Sequence, residues 1–136
     1  NHLRKRFKSI DNKNLDLLKK SFLANHFTED RGYKKNFLNS PHGLKSMDDA
    51  LVNRLTAARQ LLIPWISKNI NLHESNILEI GCGSGSGTVA LAEQAQFVIG
   101  LDIDSDIISV AKDRCRIHGI DNVEFHNSDI LNFETP

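Results

Sequence analysis

No stretch of this chain approaches the roughly 18 consecutive apolar residues that a membrane helix requires, which excludes a spanning segment of that kind. Cysteine is scarce. Cys82 and Cys115 stand alone, without the spacing of a metal motif and without the number that a disulfide framework needs, so a reduced, cytoplasmic protein with no metal site is the plain reading. The opening His2-Leu3-Arg4-Lys5-Arg6-Phe7-Lys8 leads into polar sequence rather than the apolar core of a secretory signal. Internal repeats and low-complexity tracts are absent. Net charge is absent too, with 17 Lys+Arg against 17 Asp+Glu. That balance conceals a division. Residues 1–70 carry 14 of the basic groups and 6 of the acidic ones, and residues 71–136 reverse the excess. A basic half suits an anionic partner. Its cations are scattered rather than interleaved with aromatics, which favours simple packing against the acidic half.

What the chain does contain is ordinary material for one α/β domain. Its 136 residues, 40% of them hydrophobic and 25% charged, can bury a real core. Residues 1–10 read as a basic, frayed start. Leu15, Leu18 and Phe22 predict an amphipathic helix from about Asn14 to Asn25. Gly32, Asn39-Ser40-Pro41 and Gly43 predict a loop from His26 to Lys45, with at most a short helical turn, anchored by Tyr33, Phe37 and Leu38. Ser46 with Asp49 has the spacing of a capping pair and predicts a helix start there. The face of that helix would be Met47, Leu51, Leu55, Ala58 and Leu62. Pro64 predicts a kink or a fresh helix running to about Ile70, and Asn71–Asn76 a polar connection.

The second half changes rhythm. Ile77–Ile80 reads as a buried strand, and glycines follow at alternate positions, Gly81, Gly83, Gly85 and Gly87. Val89 to Ala92 then resume a helical pattern. Phe97–Asp102 is a continuous apolar run ending in a carboxylate, the pattern of a strand buried on both faces. Asp104, Ser105 and Asp106 offer helix caps, and Ile107, Ile108, Ala111 and Cys115 form an apolar face that stops at Gly119. Asn122–His126 is a third strand candidate. Strands alternating with helices predict a parallel sheet with crossover helices.

A glycine-rich turn between strand and helix brings backbone close to a ligand. A dinucleotide fingerprint fails here, since its third glycine falls on Ser86 or Thr88, and the Lys of a phosphate-binding loop is missing. What stands is an acid followed by alternating glycines, Glu79-Ile80-Gly81-Cys82-Gly83-Ser84-Gly85. This resembles the first motif of the class I S-adenosylmethionine-dependent methyltransferases. Val98–Asp104 resembles that family's second strand, and Asn127-Ser128-Asp129-Ile130 the loop after its third. The resemblance covers about residues 76–133. It implies a Rossmann-like three-layer α/β fold, of which this chain holds the first three of seven strands, preceded by an N-terminal helical segment. It implies S-adenosylmethionine as cofactor.

The family roles map onto matching positions. Gly81, Cys82, Gly83 and Gly85 would form the loop against the cofactor's methionine portion. Glu79 would reach its ammonium group, Asp102 the ribose hydroxyls, Ile103 one face of the adenine, and Asp129 the adenine amino group with Ile130 beside the ring. Other readings stand next to these. Asp102 could simply end a strand, and Asp129 could simply begin a turn. Asp104 reads as a helix cap, Cys82 as packing rather than a nucleophile, and Trp65 as core. His118 and His126 lack a catalytic partner in the sequence. Tyr33, His42, Arg54 and Arg59 would reach the site if the helical segment forms a lid.

Three strands leave the open edge of Ile77–Ile80 without a partner, so the expectation is an N-terminal part of a longer enzyme. Residues 1–75 would be a helical cap and residues 76–136 the first half of the cofactor domain. The function expected is methyl transfer to an O, N or C nucleophile on a small molecule, with nucleic acid as the weaker option and no membrane partner. No residue is assigned a catalytic role. The rival readings are a non-catalytic cofactor-binding module and a nicotinamide-dependent enzyme.

Overall fold

The computed structural model describes residues 10–136, so nearly all of the basic start lies outside the described residues. Helix α1 (Asn12–Asn25) begins a little earlier than the apolar spacing suggested, because the Asp11 carboxylate accepts from the Asn14 amide at 2.8 Å and caps it. Leu18 and Phe22 are fully buried along its inner face.

The next stretch corrects the sequence reading. Between His26 and Lys45 the chain forms a 3-10 turn (Glu29–Arg31), a short helix α2 (Lys35–Leu38) and most of helix α3 (Pro41–Asp48). Ser46 is not the cap. Ser40 is, its hydroxyl accepting from Gly43 N at 3.2 Å, with Pro41 at the first helical position where its missing N–H costs nothing. Ser46 lies inside the helix and donates to the His42 carbonyl, while Asp49 pairs with Lys45 one turn back. Gly43 looked like a turn residue, but it serves a close approach. A Cβ there would lie 2.0 Å from the Phe37 carbonyl oxygen.

From α3 the helical path continues through a widened π turn (Asp49–Asn53), α4 (Arg54–Ala57), a second π turn (Ala58–Leu62) and α5 (Ile63–Ser67). Pro64 neither breaks nor restarts this rod. The π turn directly ahead of it absorbs the missing hydrogen bond. The rod stops at Ser67, short of Ile70, and the polar connection contains a 3-10 turn that buries Leu72.

Strands β1 (Asn76–Ile80), β2 (Phe97–Asp102) and β3 (Val123–Asn127) form a parallel sheet in that order, joined by helices α6 (Ser86–Ala92) and α7 (Ser105–Ile117). Ile77 pairs with Val98, Ile80 with Leu101, and Asp102 with Asn127, so the carboxyl ends of the strands lie together. The expected α/β class and strand order are observed. Two clusters form the core. One joins Leu55, Ala58 and Ile63 of the rod to Val89, Leu91, Val98 and Cys115. The other joins Leu18, Phe22, Met47 and Leu51 to Ile107 and Val110. Each draws on both halves of the chain, so the helical segment shares its core with the sheet.

Candidate functional site

The site grows from the carboxyl ends of β1 and β2. Gly81 and Gly83 adopt left-handed backbone, φ 72° and 54°, and a Cβ built on either would meet no protein atom within 4 Å. Their open side is a cradle. Gly85 is left-handed too, but its Cβ would lie 3.0 Å from the Ala111 Cβ, so this glycine lets the loop sit against α7. The Cys82 amide donates to the Leu101 carbonyl at 2.8 Å, extending the β1–β2 pairing into the loop.

Asp102 joins the two strand ends. One carboxylate oxygen accepts from Gly83 N and the other from Asp104 N, both at 2.9 Å. Each oxygen keeps a second lone pair for a ligand hydroxyl. Ile103, next along, is 78% exposed at the mouth of the loop. Ser128 N and the Asn127 side-chain amide both donate to the Asp102 carbonyl at 3.1 Å, which draws the loop after β3 to the same place. In that loop Asp129 accepts from Asn132 N at 2.9 Å and from its side chain at 2.8 Å, and Ile130 is exposed beside it. The turn role of Asp129 is therefore present in the structure.

Glu79 accepts a short hydrogen bond from the Thr88 hydroxyl, and burial raises its carboxyl above the usual range. Burial pushes the Cys82 thiol up to about 12, and no base adjoins it, as the packing reading requires. His118 is pushed down to about 4 by burial. Asp104 is the α7 cap, accepting from Asp106 N and Ile107 N. No cluster of His, Cys, Asp and Glu among the described residues could hold a metal ion.

A cleft of about 630 Å³ separates the glycine loop from the helical rod. Arg54, Leu61 and Trp65 line the rod side, and Gly81, Gly83 and Ser86 the loop side. Trp65 is a correction, because it is 67% exposed on the cleft rather than in the core. Its neighbour Ile63 takes the inward position at 1% exposure. Of the four lid candidates only Arg54 lines the cleft. Arg59 donates through Nε and Nη2 to Glu93, Tyr33 packs among His26, Phe27 and Phe37, and His42 is exposed on the first turn of α3.

Two arginines that matter escaped the sequence reading. Arg31 grips Asp104 with two bonds of 2.6 Å, tying the helical segment to the end of β2. Arg114 is fully buried. It donates to the carbonyls of Ser84 at 2.9 Å, Leu51 at 3.0 Å and Ala50 at 2.7 Å. Its signal was available, since a cation three residues after Ala111 and just before Cys115 falls on the apolar face of α7. Arg31 had none, because its partner lies far along the chain.

Residues 72–136 match a family model described as a methyltransferase domain. A relative from Leptospira interrogans, named an uncharacterized RNA methyltransferase, is 35% identical over 57% of this chain and 19% of its own length. The ubiquinone biosynthesis O-methyltransferase of Xylella fastidiosa is 34% identical over 50% of this chain and 26% of its own length. The chain thus spans about a quarter or less of these curated relatives. The structure of magnesium protoporphyrin IX methyltransferase from Synechocystis PCC 6803 with bound S-adenosylhomocysteine aligns over 89% of this chain and 54% of its own. Its TM-score is 0.57 at 20% identity, a likeness of fold.

Proposed function

We propose that the chain, whose residues 72–136 match a methyltransferase domain model, is the cofactor-binding part of an S-adenosylmethionine-dependent enzyme that methylates an O, N or C nucleophile on a small molecule. The observation that carries the reading is Asp102, whose carboxylate holds both the glycine loop and the start of the next helix at the strand ends. The residues fit the cofactor. The open sides of Gly81 and Gly83 leave the space a ligand chain would fill, and Asp102 retains lone pairs for vicinal hydroxyls. When bound, S-adenosylmethionine supplies an electrophilic methyl group on a sulfonium centre.

In this reading Asp102 takes the ribose, Ile103 one adenine face, and Asp129 with the backbone of Ile130 the adenine edge. Gly81, Cys82, Gly83 and Gly85 shape the loop beside the methionine portion. Glu79 faces its ammonium, with Thr88 holding the carboxylate in place. Residues 1–75 cap the cofactor and residues 76–136 supply the first half of its domain. The protein's contribution is alignment and exclusion of water. Leu61 and Trp65 give the cleft an apolar wall beside the loop, which supports a small acceptor. A reduced cytoplasmic setting belongs to the same reading; no helix among the described residues is long and apolar enough to cross a membrane. The basic excess of residues 1–70, with a relative named as an RNA methyltransferase, favours RNA as the second acceptor class.

Calorimetric titration with S-adenosylmethionine, S-adenosylhomocysteine and NAD tests the proposal. Binding of the two sulfur nucleosides, lost in Asp102→Ala, is the expected result. Preference for NAD would overturn it.

A further inference from the structure

We propose that Arg114 is a positioning residue for the cofactor. Its Nε–H fixes the orientation of the peptide between Ser84 and Gly85, and with it the glycine loop that the cofactor lies against. The inference rests on the reading of that loop as an S-adenosylmethionine site, and gives a functional role to a fully buried side chain that no motif of the sequence marks.

The loop is held at few points. Gly83 N donates to Asp102 at 2.9 Å, and the Cys82 amide to the Leu101 carbonyl at 2.8 Å. Beyond them, the peptide between Ser84 and Gly85 makes two bonds of its own. Its N–H donates to the Cys82 carbonyl at 3.1 Å, and its oxygen accepts from Arg114 Nε at 2.9 Å. Left-handed glycines stand on both sides of Ser84, Gly83 at φ 54° and Gly85 at φ 84°. Glycine accepts either sign of φ at little cost, so local backbone preference does not decide which way this peptide faces. Rotated over, it would lose both bonds. The Arg114 bond opposes that rotation.

Packing alone does not call for an arginine here. Arg114 has no exposed surface, and its bonds go to the neutral carbonyls of Ser84, Leu51 and Ala50. Burying a guanidinium without a carboxylate partner is costly, and an apolar side chain of similar volume would fill the space at less cost. What apolar packing lacks is a donor aimed along a fixed direction. The guanidinium is a rigid plane, and the rod sets it: the Leu51 and Ala50 carbonyls take its two Nη groups at 3.0 and 2.7 Å. The Phe22 ring of α1 lies with its centroid 5.5 Å from Cζ. With the fork so placed, Nε meets the Ser84 oxygen. A loop free to adopt two peptide orientations binds with its affinity reduced by the fraction in the competent one, which is how a residue away from the ligand changes binding.

The test separates the loop bond from the rod bonds. In Arg114→Gln the side-chain amide nitrogen takes the place of Nε and can still donate to Ser84; in Arg114→Met a methyl group stands there. Both variants lose the donors to Ala50 and Leu51, so both should lose stability in urea to a similar extent. Calorimetric titration of the full chain with S-adenosylhomocysteine should then find affinity about ten-fold weaker in Arg114→Met and within roughly three-fold of wild type in Arg114→Gln. Val110→Ala, which opens a cavity one turn earlier on the same helix, should lower stability and leave affinity unchanged. In the wild-type protein, the Gly85 amide and the Arg114 Nε–H should exchange slowly with water by nuclear magnetic resonance, a measurement that needs no substitution. Equal affinity losses in Arg114→Met and Arg114→Gln, no loss in Arg114→Met, or rapid exchange of both protons would overturn the assignment while leaving the cofactor site standing. Failure of S-adenosylhomocysteine to bind wild type would instead remove the reading on which it rests.

Discussion

The Arg114 guanidinium lies 2.9 Å from the Ser84 carbonyl, and through that bond a fully buried cation on α7 holds the glycine loop. Its other two bonds go to Ala50 and Leu51, inside the first π turn of the rod. The widened turn disturbs the regular helical ladder, and Arg114 supplies donors where the carbonyls need them. No carboxylate among the described residues pairs with it. Burial lowers its pKa to about 10, so it stays charged at neutral pH. One side chain thus joins rod, loop and sheet helix.

Removing it should be severe. Arg114→Ala leaves three carbonyls without their donor and should cost about 3–5 kcal/mol, against a much smaller loss for an exposed control such as Arg116→Ala. Arg114→Lys, which cannot reach three separate oxygens from one ammonium, should fall between them. Urea unfolding followed by circular dichroism measures the order of the three.

The loop glycines should separate stability from binding. Gly85→Ala places a Cβ 3.0 Å from the Ala111 Cβ in left-handed backbone, so it should destabilise the fold by about 1–3 kcal/mol. Gly83→Ala meets no protein atom, so its cost should be limited to the backbone, about 1–2 kcal/mol. Its main effect should appear as loss of S-adenosylhomocysteine binding. Thermal melts and calorimetry on both variants give the comparison.

Arg31 and Asp104 predict an acid dependence. The bidentate bond from Arg31 holds Asp104 down at about 2, below its ordinary 3.8. A carboxylate depressed in the fold contributes stability above its unfolded pKa and loses it as pH falls through the folded value. The stability gap between wild type and Arg31→Gln should therefore be full above about pH 4–5 and close towards pH 2. Since Asp104 N bonds to Asp102, the same variant should also weaken nucleoside binding at neutral pH. Unfolding midpoints across pH measure the first effect and titration the second.

Glu79 has the opposite sign. Burial raises its folded pKa, so its neutral form suits the fold better and stability is lost as pH rises through that value. Glu79→Gln should then match or exceed wild-type stability at pH 7, while weakening S-adenosylmethionine if the carboxylate faces the cofactor's ammonium. A variant less stable than wild type with unchanged binding would contradict both halves.

Trp65 offers a direct readout. As the only tryptophan, and largely exposed on the cleft, it should emit at long wavelength in the free protein. Adding S-adenosylhomocysteine should quench or blue-shift that emission, and Trp65→Phe should abolish the signal without preventing binding.

Much of the sheet half was legible because its signals are local. Strand, glycine turn and helix follow each other within a few residues, and Asp104 lies directly before the helix it caps. The helical half was less so. Ser40-Pro41 and Gly43 carry turn chemistry, yet the first two begin α3 and the third admits the Phe37 carbonyl, a contact invisible to spacing. Trp65 reads as core in the sequence, and its exposure follows from which face of the rod the sheet occupies.

By itself the amino-acid order determined the α/β rhythm, the glycine cradle and the carboxylates at Asp102 and Asp129, since each depends on backbone preferences and period over a few residues. Tertiary structure alone decided the rest. It set Arg31 on Asp104 and Arg114 on the loop and rod, turned Trp65 and Arg54 to the cleft, and left the Ser86 hydroxyl without a partner. These depend on packing between segments tens of residues apart, where hydrophobic burial is non-directional and only the assembled geometry selects which polar groups meet.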